Sequence, residues 1–238
     1  MTDQTKSANP TGPLAGVKIL DMSSVVLGPF ATMIFGDLGA EVVKVEPGKG
    51  DLMRYAGKSP TGDLGPIYTN LNRNKASIQL DAKTKLGKAA LIELIKSADV
   101  LFTNVRLAGM TRLGLDYDGV KAINPSIVYV HCAGFGADGP YGERQAYDDL
   151  IQAASGFAHL NTLRDGSAPA YAPSLVADKT VGLFATYATI AALFHRERTG
   201  EGQFVSVPML EAFTFFNMVE NLYGETFLPG NGKVAYTR

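Results

Sequence analysis

The strongest constraint on the fold is a pair of short apolar stretches with a helix between them. VKILD (17–21) and EVVKVE (41–46) each have the length and branched apolar content of a strand. Between them Gly28 precedes Pro29, a suitable entry into a helix. Phe30, Met33, Ile34 and Leu38 then fall on one helical face, and Gly39 ends it. Two strands joined through such a helix pair in parallel, with a right-handed crossover. The alternation continues: ASIQLD (76–81), VLFTN (100–104) and SIVYVHCA (126–133) read as strands, with helices over about 83–98 and 117–123. Helices then dominate, over 147–158, 178–196 and 210–222, with QFVSVPM as a strand before the last. The expectation is an α/β chain with a doubly wound, mainly parallel, Rossmann-like sheet and an added helical layer from the second half.

Composition narrows the function. With 22 basic and 23 acidic residues the formal net charge is −1, without the basic excess of a nucleic-acid surface. Cys132 is the only cysteine, so no intramolecular disulfide forms, and a cytoplasmic protein is expected. His131, His159 and His195 lack metal-ligand spacing, so no metal site is expected. The opening MTDQTKSANPTG has no apolar core and reads as a floppy tail over residues 1–12. The apolar run from Val181 to Phe194 is too short to span a bilayer and reads as a buried helix.

Several motifs carry competing meanings. GFGADG (134–139) follows a strand and matches G-x-G-x-x-G, but Pro140, Tyr141 and Gly142 continue a turn where a dinucleotide site needs a helix. Glu46, ending its strand, reads either as a ribose contact or as a solvated strand-end charge. The stretch 47–75 is a long excursion of the kind that often carries function. Arg54, Arg73, Lys75, Lys83, Arg106 and Arg112 fall in or near loops; singly each reads as a surface charge, and together they suit an anionic ligand.

Asp178 is the oddest residue, a lone acid at the head of the most apolar helix. It reads as a helix cap, as a ribose or metal ligand, or as a nucleophile. As a cap it would accept from the free N–H groups of the first turn. The same amides would keep it ionised against an apolar wall, as a nucleophile requires.

Six segments, taken together and in order, resemble the family III CoA-transferases. That group includes formyl-CoA and carnitine CoA-transferases, with α-methylacyl-CoA racemase as a divergent relative. The segments are PLAGVKILDMSSVVLGPFATMIFGDLGAEVVKVEP, NRNKASIQLDAKTKLGK, ADVLFTNVRLAGMTRLGL, NPSIVYVHCAGFGADGPYGERQAYD, ADKTVG and HRERTGEGQFVSVPMLEA. The resemblance implies CoA transfer from an acyl-CoA to a free carboxylic acid through an aspartyl mixed anhydride and an aspartyl-CoA thioester, with Asp178 as the aspartate. It places CoA contacts on Val26 and Leu27, on Leu80, Asp81, Ala82 and Lys83, and on Asn104, Val105 and Arg106. Arg112, Tyr147 and Asp148 complete that set. It implies coenzyme A as substrate with no tightly bound cofactor, an interlocked homodimer, and neither nucleic-acid nor membrane partners.

This chain also departs from the family pattern. Ser24 and Val26 stand where formyl-CoA transferase has a His and a catalytic Gln, and Pro47 replaces an adenine-side arginine, which argues against formyl or oxalyl substrates. Tyr147 stands where the racemase branch has a His, which favours transfer over racemisation. Family chains continue through a second domain, so residues 13–238 are expected to form a large N-terminal domain lacking the C-terminal portion. The other readings are an acyl-CoA racemase or isomerase, and a non-catalytic CoA-binding fragment.

Overall fold

The computed structural model describes residues 11–236. Strand β1 (Lys18–Met22), helix α1 (Leu27–Asp37) and strand β2 (Glu41–Glu46) form the first crossover unit. A short 3-10 turn at Leu52–Arg54 leads to α2 (Pro66–Leu71), followed by β3 (Lys75–Gln79), α3 (Lys85–Ser97) and β4 (Val100–Thr103). Two short helices, α4 (Leu107–Leu113) and α5 (Tyr117–Ile123), precede β5 (Val128–Ala133). Then come α6 (Asp148–Ala154), α7 (Leu160–Asp165), the long α8 (Val176–Thr199), β6 (Phe204–Pro208) and α9 (Met209–Asn221). The sheet order is β3-β2-β1-β4-β5-β6, and every pairing is parallel. The chain therefore winds outward in both directions from β1 and β4. Their carboxyl ends mark the switch point at which such sheets bind ligands.

Helices cover both faces, as a parallel sheet requires. On one side Leu27, Ala31 and Phe35 of α1 pack with Ala177, Val181 and Ala185 of α8 against Val100, Phe102, Val128 and Val130. On the other, Leu91 and Ile95 of α3 and Val120 of α5 meet Leu20, Leu101 and Tyr129. Gly182 lets α8 close on α1: a Cβ there would meet the Leu27 carbonyl and the Phe30 ring.

Three expectations need correction. Helix α1 is buried most completely at Ala31 and Phe35, while Phe30, Ile34 and Leu38 are half-buried, because α1 and α8 lie side by side on the same face of the sheet. Helix α8 is not buried on all sides: Leu183, Tyr187, Ile190 and Phe194 stay exposed on the face away from the sheet. Residues 1–10 of the expected tail lie outside the described residues. Thr11 and Gly12 are packed against the turn at Leu38 and Gly39, so the fold begins before residue 13.

A charged network is sealed under the carboxyl ends of β1 and β2, with Lys75 reaching in from the start of β3. Lys75 Nζ lies 3.1 Å from Asp21, and Lys44 Nζ lies 3.0 Å from Asp51, with all four side chains buried. Burial pushes the Asp21 carboxyl up, but Lys75, Lys44, Ser23 and Thr32 outweigh it and bring its pKa to about 2. Glu46 accepts from Arg54, Tyr68, Ser77 and the Asp51 N–H. It is neither a solvated strand end nor free for a ribose, since protein donors take both of its oxygens. Removing one partner of such a pair leaves a buried charge uncompensated. Lys75→Met is expected to destabilise the fold by roughly 3 kcal/mol in urea unfolding, and Asp21→Asn added to it to restore more than half of that loss. A double variant no more stable than Lys75→Met would contradict this account of the network.

Candidate active site

The loop leaving β1 is held open and rigid at the switch point. Val25 has φ +71°, a left-handed conformation that costs a β-branched residue of the order of 1–3 kcal/mol. Neighbouring elements impose it. The Val25 N–H donates to Asp51 Oδ1, Lys44 Nζ donates to the Ser23 carbonyl, and the Asn104 amide both accepts from the Ser24 N–H and donates to its carbonyl. The buried network thus shapes this loop directly. Beside it opens a cleft of about 350 Å³ whose polar lining includes Ser24, Asn104, Arg106, His131, Arg144 and Tyr147. His131 is bound through Nε2 to the Val105 carbonyl and stacked on Phe204. Burial lowers its pKa, although that carbonyl opposes the shift. The imidazole is therefore a neutral part of the cleft wall.

The residues expected to contact CoA form two groups. Asn104, Arg106 and Tyr147 share the cleft, while Leu80, Asp81, Ala82 and Lys83 follow β3, three strands from β4. At ~4.8 Å per strand the groups are roughly 14 Å apart, so only an elongated ligand could touch both. Val26 and Leu27 are each 3% exposed, which leaves their main chain rather than their side chains to meet a ligand. Val105 is partly exposed. The Asn104 side chain is spent on Ser24. Asp81 Oδ1 accepts the Lys83 N–H. Of the six expected cations, Arg54, Arg73 and Lys75 are engaged with Glu46, Asp37 and Asp21. Lys83, Arg106 and Arg112 are exposed and make no ion pair among the described residues.

Asp178 is not the helix cap. Helix α8 starts at Val176, Leu175 holds the capping position without a side-chain bond, and Asp178 lies within the first turn. The cap comes from another helix, because Asp148 Oδ1 accepts the Asp178 N–H at 2.8 Å. Asp178 keeps 9% of its surface exposed and accepts no side-chain hydrogen bond from a described residue, yet neither oxygen is sealed from solvent. Burial, and then the Asp148 carboxylate, push its pKa up from 3.8 to about 7. The expectation that first-turn amides keep it ionised is thus reversed: the amide facing outward is taken, and the side chain has lost water without gaining a donor. Asp178 does not line the cleft itself. Asp148 joins it to the rim at Tyr147.

Sequence reasoning missed Val25, Arg144 and Gln152. Val25 had no local signal, since a β-branched residue is the least expected at positive φ. Arg144 lies in the turn after GFGADG, where Gly136 is tied to Glu211 and no helix opens. Gln152 was visible only as a residue four after Asp148 on a helix. Among the described residues no cluster of three or more His, Cys, Asp or Glu side chains could hold a metal ion, and no helix is long and apolar enough to cross a membrane.

Comparison with known proteins bears on the family and the fold. An acetyl-CoA:oxalate CoA-transferase of Acetobacter aceti is 37% identical over 90% of this chain and 55% of its own length. A succinyl-CoA:glutarate CoA-transferase of Homo sapiens is 38% identical over 86% of this chain and 47% of its own. The crystal structure of a CAIB/BAIF family protein from Brucella suis superposes with a TM-score of 0.85 at 33% identity, covering 95% of this chain and 60% of that one. The chain spans about half the length of the curated relatives it matches. The sequence pattern of CoA-transferase family III matches residues 14–235, nearly the whole described fold, and the chain belongs to that family.

Proposed function

We propose that this chain carries the CoA-binding and acyl-accepting part of an acyl-CoA:carboxylate CoA-transferase, with Asp178 as the nucleophile. One observation carries the reading: Asp178 is a poorly hydrated carboxylate with no donor among the described residues to quench it, tied through Asp148 to the rim of a cleft that Arg106 and Arg144 also line. Desolvation without hydrogen bonding raises the reactivity of an oxyanion as well as its pKa. By contrast, Asp21, Glu46 and Asp51 each face a lysine or arginine, and Asp148 is hydrogen-bonded at both oxygens.

In this reading the ionised Asp178 attacks the thioester carbonyl. The carbon–sulfur bond breaks, an acyl-aspartyl anhydride forms and CoA leaves as thiolate. The thiolate then attacks the aspartyl carbonyl, releasing the donor acid and leaving an aspartyl-CoA thioester. The acceptor carboxylate attacks that thioester to form a second anhydride and free the thiolate again. Attack of the thiolate on the acceptor's acyl carbonyl gives the new acyl-CoA and returns the Asp178 carboxylate. Each thioester is exchanged for another, so the sequence closes without an outside energy source. Arg106, Arg112 and Lys83 supply charge-assisted contacts for the CoA phosphates. The named relatives act on oxalate and on glutarate, so short dicarboxylates are the first acceptors to test. An interlocked homodimer and a cytoplasmic setting belong to the same reading.

Asp178→Ala is expected to abolish CoA exchange between an acyl-CoA and a free acid while CoA affinity changes only a few-fold. Unchanged turnover would reject the nucleophile. Arg106→Ala is expected to weaken CoA about tenfold, the scale of one charge-assisted hydrogen bond, and equal affinity by calorimetry would remove that contact.

The elevated pKa also affects stability. Between about pH 4 and 7 the folded chain holds a proton that an unfolded aspartate has released, so stability falls as pH rises through that window. The full cost of an ionised Asp178 is present above pH 7. Asp178→Asn is accordingly expected to stabilise the fold by roughly 1–3 kcal/mol at pH 8 and by little at pH 4. Urea unfolding at both values checks this, and an equal effect at the two would contradict it.

A further inference from the structure

A buried amide stands behind the two acids at the head of α8. Gln152 is fully buried, one turn along α6 from Asp148, and it uses both ends of its side chain. Nε2 donates to Asp148 Oδ2 at 2.5 Å and makes a longer contact of 3.3 Å with the Ser174 carbonyl, while Oε1 accepts the Ala172 N–H at 2.8 Å. Asp148, only 4% exposed, is therefore held at both oxygens, by Gln152 on one and by the Asp178 N–H on the other. A carboxylate fixed in this way cannot rotate out to water, so its charge remains beside Asp178. The same amide ties the segment that enters α8 to α6, which sets where the first turn of α8 begins.

We propose that Gln152 and Asp148 form a positioning relay for Asp178: Gln152 locks the Asp148 carboxylate, and Asp148 both anchors the Asp178 main chain and keeps a negative charge against its side chain. This rests on the reading of Asp178 as the acyl acceptor, and it assigns neither partner a contact with substrate. The relay would work by holding Asp178 as a strained, proton-hungry carboxylate until an acyl-CoA arrives. Burial is the first cause of the raised proton affinity of Asp178, and among charged groups only Asp148 adds to it. Helix α8 packs on α1, α6, α9, β5 and β6, which bring Asp37, Asp149, Glu211, Glu220, His131 and Cys132. Of all these groups and Asp148, only Asp148 bears on Asp178. Its own neighbour Lys179 is turned to the Ser174 hydroxyl.

The test is the titration of the Asp178 carboxyl carbon by NMR in protein labelled with carboxyl-13C aspartate, with Asp178→Asn identifying the resonance. The midpoint is expected near pH 7 in the parent chain. Asp148→Asn is expected to lower the proton affinity of Asp178 about tenfold or more, the scale of a like-charged neighbour. Gln152→Met, which keeps the volume and removes the amide, is expected to lower it partway. In the Asp148→Asn background, Gln152→Met is expected to add nothing, because its effect runs through Asp148. An unmoved midpoint in Asp148→Asn would overturn the relay, as would a Gln152→Met shift of equal size in both backgrounds. If Gln152→Met fails to fold, Asp148→Asn alone decides the charge part, and the uncharged Gln152→Leu replaces it in the double comparison. The titration reads the side chain without turnover, so a failed nucleophile reading would leave it intact, and a failed relay would leave the nucleophile reading intact.

Discussion

Two carboxylates, Asp148 and Asp178, share one buried corner at the head of α8, and the second has no donor of its own. A small domain can carry such a corner only if the rest of the packing holds it. Gly182 seats α8 directly on the Leu27 carbonyl and the Phe30 ring, and Ala177, Val181 and Ala185 commit that face to the core. The first turn of α8 therefore cannot swing its acid into water without parting two tightly packed helices. The result is a carboxyl in a fixed place whose proton affinity is raised by burial and by Asp148.

The contrast with the other buried charges decides which acids are structural. Asp21, Glu46 and Asp51 are as hidden as Asp178, yet each faces a lysine or arginine, and both resolved shifts, at Asp21 and Glu46, run downward. Those groups form a scaffold. They fix the loop after β1, including the left-handed Val25, at the point where the strand order reverses. Asp178 alone is pushed the other way, and it is tied through Asp148, the neighbour of Tyr147, to the rim of the cleft that this loop borders. Pairing builds the platform, and the lack of pairing at Asp178 is what singles it out for the proposed nucleophile.

Much of the architecture was legible in the sequence because periodicity speaks for buried faces. VKILD and EVVKVE became adjacent parallel strands, and the helix read over 117–123 is α5. The misses came where tertiary partners, rather than local pattern, set the outcome. Helix α4 follows β4 closely and shows little amphipathic contrast, and the exposed apolar face of α8 could not be told from a buried one by composition. Asp178 itself was legible as an anomaly, but its raised proton affinity was not. Whether an acid at a helix start is capped, paired or stranded depends on residues thirty positions away, here Asp148. The cations were legible only in number, since three of the six are taken up by carboxylates: Arg54 by Glu46, Lys75 by Asp21 in the buried network, and Arg73 by Asp37 at the surface.

The central claim is that Asp178 becomes covalently acylated, and the most direct measurement intercepts that bond. The chain is incubated with an acyl-CoA and hydroxylamine, digested, and its peptides mapped by mass. The account predicts a hydroxamate at Asp178 that forms only when the acyl-CoA is present. Robust CoA exchange with every aspartate unmodified, or with the label on Asp148 instead, would contradict it.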